Sequence, residues 1–258
     1  MIGKVIVDAF KFGFSLRRML PFVFFNLLLL YTICDMLGRI GPIELTQEAM
    51  NSVAPLFGIY LFIFFFYGIS QPLLMSVMLH QAKNFGKKVP IKKSFQFSFS
   101  VFLKSFFIFL IFFVAYVLLG FIPLFWTILI PIFALATFYV YPAAIMDGKR
   151  ISEAFKKSFS IFKKAPLQTF LVSLILGLVS FVLISISFSP LIFWLGGNLY
   201  SISRQTEDIN VLMQYFARLL ISPTIIPFLL LPALAISFCV VVKIGAQARL
   251  YVALKKKA

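Results

Sequence analysis

Six stretches of this chain are apolar enough, over about 20 residues, to cross about 30 Å of hydrocarbon as helices. They lie near Leu20–Leu37, Val53–Leu79, Phe102–Leu119, Leu124–Met146, Leu167–Phe193 and Leu219–Val242. Nothing constrains the fold more, because a backbone in lipid must satisfy its polar groups internally, which leaves helices or closed barrels. The alternation of apolar and polar residues that a barrel strand needs is missing, so helices are expected. Composition agrees: 62% of the 258 residues are apolar and 12% charged, against about 45–50% and about 25% in soluble domains. Mean hydropathy is +1.03, which excludes a water-soluble globule, a disordered chain and a coiled coil. Pro72, Pro131, Pro190, Pro227 and Pro232 fall inside the runs and predict kinks. Gly196-Gly197 reads as a turn.

The net charge of +16 would fit nucleic acid in a polar chain, but here it points to a membrane surface and not to nucleic acid. All of the 24 Lys and Arg except Arg39, Arg204 and Arg218 fall in the N-terminal stretch, around the loops after the second and fourth runs, and at the C-terminal end. By the positive-inside rule these segments, the loops around Lys88 and Lys157 included, face the cytoplasm, and so do both termini. The chain is therefore expected to be a multi-pass protein of the cell membrane. Met1–Arg18 lacks a small-residue cleavage site and does not read as a removable signal peptide.

The chain also matches itself. Asp8-Ala9-Phe10-Lys11-x-x-Phe14-Ser15-Leu16-x-Arg18-x-x-Pro21 corresponds to Glu153-Ala154-Phe155-Lys156-x-x-Phe159-Ser160-Ile161-x-Lys163-x-x-Pro166. A weaker copy runs Ser94-Phe95-x-x-Ser98-Phe99-Ser100-Val101-Phe102-x-Lys104. The expectation is an all-α integral membrane protein, one polytopic domain over 1–258. Its three pseudo-repeated hairpins fall at about 4–80, 90–146 and 150–242, with a basic tail at 243–258. Each repeat opens with a short amphipathic helix at the cytoplasmic interface: Phe10–Arg18, Lys93–Phe102 and Ala154–Lys163. Phe155, Phe159 and Phe162 share one face bordered by Lys156, Lys157, Lys163 and Lys164, the pattern of a helix lying among headgroups. The alternative is that these are the first turns of the spans, with snorkelling lysines. Pro21 and Pro166 favour separate helices, since proline opens a helix readily.

Chemistry is sparse. The chain has one His and eight Asp plus Glu, and its two cysteines, Cys34 and Cys239, sit in apolar runs without metal-ligand spacing. Buried free thiols are expected, with no metal and no cofactor. Asn26, Gln71 and His80 form a possible polar site. Each also has a structural explanation as an interhelical hydrogen bond or a polar cap. Asp35 is expected to pair with Arg39 one turn on. The serines of the fifth run suit helix packing better than catalysis.

Tyr141-Pro142-x-x-x-x-Asp147-Gly148-x-x-x-Ser152-x-Ala154-Phe155-x-x-Ser158-Phe159-x-x-Phe162-Lys163 resembles the recurring element of the membrane domains of glycerophosphoryl diester phosphodiesterases. Related six-span membrane proteins of uncharacterised function carry it alone. The resemblance implies a membrane scaffold that handles or senses lipids. The catalytic barrel of those enzymes, rich in Glu, His and Asp, has no counterpart in this sequence. The expected function is thus non-enzymatic: a lipid-interacting scaffold or partner-binding membrane module. The alternative is a transporter or permease passing a small or amphiphilic solute between the repeats. The expected partners are membrane lipids, anionic ones above all. Arg17, Arg18, Lys104, Lys156, Lys157, Lys163 and Lys164 are the expected headgroup ligands, each worth about 1 kcal/mol near a charged leaflet.

Overall fold

The computed structural model of the chain describes residues 1–40, 47–84, 89–120 and 126–255. Lys87, Lys88, Lys256 and Lys257, and the start of the expected run Leu124–Met146, lie outside them. The described residues are helical: α1 (Ile2–Gly13), α2 (Leu16–Ile40), α3 (Gln47–Lys83), α4 (Ile91–Ser100), α5 (Phe102–Gly120), α6 (Trp126–Ala136), α7 (Ile151–Lys164), α8 (Pro166–Ser203), α9 (Ile209–Ile221) and α10 (Ile226–Lys255). A π-helical turn, Pro142–Met146, precedes α7, and a short 3₁₀ turn, Pro223–Ile225, precedes α10.

Among the described residues, five helical stretches are long and apolar enough to cross a membrane: Leu16–Arg39, Pro55–Lys83, Phe102–Gly120, Pro166–Ser203 and Pro223–Lys255. Only 11% of the apolar window in Phe102–Gly120 is buried, so its leucines and phenylalanines need a lipid or protein surround. The run expected over Leu124–Met146 is not a single helix among the described residues. Helix α6 stops at Ala136, and the chain passes through a turn before the π turn at Pro142, whose missing N–H cannot continue an α ladder.

Three further boundaries differ from expectation. The run placed at Leu219–Val242 is interrupted: α9 ends at Ile221, capped by Ser222, and the long helix begins at Ile226. Pro227 therefore sits in the first turn, where proline costs little. Gly196-Gly197 is not a turn but lies within α8. The segment Phe10–Arg18 is not one helix, because the break falls at Phe14-Ser15, and Pro21 lies inside α2. Helix α1 ends at Gly13, with Phe14 beyond it at φ −69°, ψ 44°. The other two segments also break before the spans that follow them, although Phe102, expected at the end of the second, opens α5. Helix α4 breaks from α5 at Val101, and α7 breaks from α8 at Ala165, with Pro166 as the first residue of α8.

The chain divides into two compact units, residues 1–19, 69–179 and 238–258, and residues 20–68 and 180–237. In the first unit the buried core is built from Leu74, Val77, Met78 and Leu79 of α3, the run Phe138–Met146, and Val241, Ile244, Leu250 and Tyr251 of α10. The three amphipathic helices pack on it. Helix α4 seats on α3: Ser98 Oγ donates to Leu73 O at 2.7 Å, and His80 stacks on Phe97 at 4.4 Å. Helix α7 seats on the end of α6: Ser158 Oγ donates to Ala136 O at 2.6 Å and accepts from Tyr139 N at 3.1 Å. Helix α1 lies along α10. Phe14 packs on Phe238 at 4.9 Å, a Cβ on Gly13 would stand 2.3 Å from Val242 Cγ2, and Asp8 approaches Arg249 at 3.7 Å.

In the second unit, Leu191, Leu220, Ile225 and Leu229 form the core, with Trp194 stacked on Phe228 at 4.9 Å. Gly38 lets α9 approach α2 closely; a Cβ there would lie 2.7 Å from Ala217 O. Asn26, buried, donates to Ser237 Oγ at 2.9 Å and accepts from the Tyr67 hydroxyl at 3.0 Å. Asp35 pairs with Arg39 at 2.9 Å as expected, and it also accepts from Tyr60 at 2.7 Å. Cys34 and Cys239 are free thiols, Cys239 buried and Cys34 half-buried.

Candidate functional site: a lysine-lined depression at Asp147

Among the described residues, no group of three or more His, Cys, Asp or Glu could hold a metal ion. The charge of the first unit gathers instead at the ends of its core helices. Lys83 closes α3, Lys255 closes α10, and Asp147 and Lys149 follow the π turn. With Met146 and the α7 residue Lys157 they line an open depression of about 510 Å³.

Asp147 organises it. Its Oδ2 accepts from the Tyr251 hydroxyl at 2.7 Å and pairs with Lys255 Nζ at 2.6 Å. Burial on its own would raise this carboxyl. The hydrogen bonds from Lys255 and Tyr251, with the charges of Lys255 and Lys83, outweigh it and hold the group below the usual carboxylate range. Next to it, Gly148 adopts φ +70°, a conformation that a side chain resists, and this turns the chain into α7. Glu153 then accepts from Arg150 N at 3.4 Å at the start of that helix.

The four lysines differ in engagement. Lys255 is paired with Asp147, and Lys83 donates to the carbonyl of Met146. Lys149 and Lys157 have no side-chain acceptor among the described residues. Converging ammonium groups with spare donors can hold an anion by charge-assisted hydrogen bonds.

The expected headgroup ligands are not drawn into one cluster, and Lys157 alone of them lines the depression. Arg18 turns inward, donating to Gln81 Oε1 at 2.9 Å and Phe12 O at 2.8 Å with its guanidinium over the Phe12 ring. Lys104 donates to Gly148 O at 3.2 Å. Lys163 lies over the Phe159 ring at 4.7 Å, while Arg17, Lys156 and Lys164 are exposed. Asn26 belongs to the second unit, whereas Gln71 and His80 belong to the first. His80 Nδ1 meets Ser94 Oγ at 3.1 Å, and Gln71 leaves its buried Nε2 without an acceptor.

The amphipathic helices share a burial pattern that the Phe spacing does not reveal. Ala9, Ser94 and Ala154 are fully buried, and so, four residues on, are Gly13, Ser98 and Ser158. Phe10, Phe95 and Phe155 are half-buried, whereas Phe14, Phe99 and Phe159 are exposed at 76%, 66% and 48%. The face turned to the core is thus the small-residue face, and the phenylalanines flank it; Phe155 packs edge-on against Phe112 at 5.7 Å.

Compared with protein-family models, with curated proteins and with solved structures, the chain matches none.

Proposed function

We propose that the protein is a multi-pass, non-enzymatic membrane module. In it, three repeated units present amphipathic helices to anionic headgroups on the cytoplasmic side. The observation that carries this is the shared pattern of α1, α4 and α7, in which buried small residues and exposed phenylalanines recur at matching positions. A solvated helix has no use for an exposed Phe at the same place three times, whereas a helix at an acyl boundary does. The five long apolar helices support membrane insertion. A sixth span over Leu124–Met146 belongs to the proposal, as do the cytoplasmic termini and the kinship with the phosphodiesterase membrane domains. Arg17, Lys156 and Lys163 supply the surface cations; Arg18 and Lys104 contribute less, because protein acceptors already engage them.

Two measurements test the proposal. In a background lacking Cys34 and Cys239, a reagent added outside intact cells should label Ser203→Cys and spare Lys157→Cys. The reverse labelling pattern overturns the topology. In native mass spectrometry, phosphatidylglycerol should be retained over phosphatidylcholine, and Lys156→Gln with Lys163→Gln should reduce the preference. Equal retention of both lipids by the wild type overturns the lipid role.

A further inference from the structure

The lysines around Asp147 form a different arrangement from the cations along the outer edges of the amphipathic helices. Each of the three core segments of the first unit sends one to the same place: Lys83 from α3, Lys149 from the turn after Met146, and Lys255 from α10. Lys157 adds a fourth from α7; it is half-buried, whereas its neighbour Lys156 is exposed. Like charges brought together by a fold repel one another. Asp147 is the one acid lining the depression, and its charge is committed to Lys255. One carboxylate cannot balance four ammonium groups, so the depression keeps a strongly positive potential over open space. The donors left over, Lys149 and Lys157, fit a group with several acceptor oxygens and one or two negative charges.

We propose that this depression binds a single phosphate group, carried by an anionic phospholipid headgroup or by a soluble phosphate ester. Lys149 and Lys157 supply the principal donors, and Lys83 completes the cradle. Asp147 acts as a positioning residue that holds Lys255 in the wall. The site deepens the membrane reading above, which supplies the lipid as one source of the phosphate, but its test is independent of bulk headgroup attraction.

The full chain is purified in detergent and reconstituted in phosphatidylcholine nanodiscs. Inorganic phosphate and glycerol 3-phosphate are titrated by calorimetry, and phosphatidylglycerol binding is counted by native mass spectrometry. The proposal expects a saturable event of one phosphate per chain. It should weaken at least tenfold in Lys149→Gln with Lys157→Gln and be preserved in Lys149→Arg with Lys157→Arg. Lys156→Gln with Lys163→Gln removes the same charge from the outer face of α7 and should leave the inorganic phosphate titration unchanged while lowering only bulk phosphatidylglycerol retention. Response to phosphatidylglycerol without response to glycerol 3-phosphate assigns a lipid headgroup; response to both assigns a soluble ester as well. If the two Gln pairs lower phosphatidylglycerol retention equally and no soluble phosphate binds, the depression is not a site, while surface attraction stands. If the wild type shows no lipid preference yet binds phosphate through Lys149 and Lys157, the site stands and the headgroup reading falls. Loss of saturable binding in the Arg pair, with thermal stability intact, also overturns the proposal.

Discussion

Lys255 holds the Asp147 carboxylate at 2.6 Å, tying the last turn of α10 to the turn that leads into α7. The Tyr251 hydroxyl reaches the same oxygen, so removing the charge disturbs two contacts at once. Asp147→Asn should destabilise the detergent-solubilised protein by up to about 1.5–3 kcal/mol, the usual range for a hydrogen bond to a charged group. The pH dependence has a fixed sign. The folded carboxyl is held below its ordinary value, so its stabilisation is complete above about pH 4 and is lost as pH falls towards the folded value. Melting curves from pH 7 to pH 3 should show the wild type and Asp147→Asn converging at the acid end. A gap that stays constant over that range would contradict the ion pair.

Close helix approach in the second unit depends on Gly38. An added Cβ meets the Ala217 carbonyl at 2.7 Å and Ile221 Cγ2 at 2.8 Å, and a backbone atom cannot swing aside. Gly38→Ala should cost about 1–3 kcal/mol by overpacking, despite the helix-propensity gain. Gly58→Ala, with nothing within 4 Å, should be neutral or up to about 1 kcal/mol stabilising. Thermal melting of the two variants side by side checks the order.

Asn26 and Ser237 are joined by a buried hydrogen bond of 2.9 Å. Such pairs between apolar helices average about 0.6 kcal/mol and reach about 1.7 kcal/mol in double-mutant cycles. Asn26→Ala and Ser237→Ala should each destabilise, and the cycle should return a coupling within that span. Additive effects would mean that Asn26 acts through Tyr67 alone.

If the exposed phenylalanines lie at the acyl boundary, their depth can be measured. With Trp126 and Trp194 replaced by Phe, single tryptophans at Phe14, Phe99 and Phe159 should all be quenched most by lipids brominated near the glycerol end of the chain. Quenching by water-soluble iodide at all three positions would remove the interfacial role.

The long apolar helices were legible because lipid demands about 20 apolar residues in a row, and that requirement is written locally. The break before Pro166 was legible for the same reason, since proline acts on its own backbone. The break at Phe14-Ser15 was not, because no proline marks it, and the close packing of Gly13 on Val242 of α10 is likewise visible only in the fold. The phenylalanine face of α7 could be read from its spacing, whereas the opposing small-residue face of Ala154 and Ser158 could not, because its burial depends on the helices it packs against. The depression was only half visible. Asp147 stood in the quoted motif as the one acid between cationic runs, but its partners Tyr251 and Lys255 are supplied by another helix. Gly148 was present in the same motif, although its positive φ needs the folded turn to be seen.

Helices α4, α7 and α1 each rest on the core segment that precedes them in a cycle: α3, then α6, then α10. That is head-to-tail contact, which in assemblies of separate subunits closes into a ring or runs on as a filament. Here a direct connection links α3 to α4 and α6 to α7, but none links α10 to α1. The third seam is made by packing such as Phe14 on Phe238 and Asp8 near Arg249. It is therefore where the cycle can part without the chain being cut, and amide protons along α1 should exchange before those of α4 and α7.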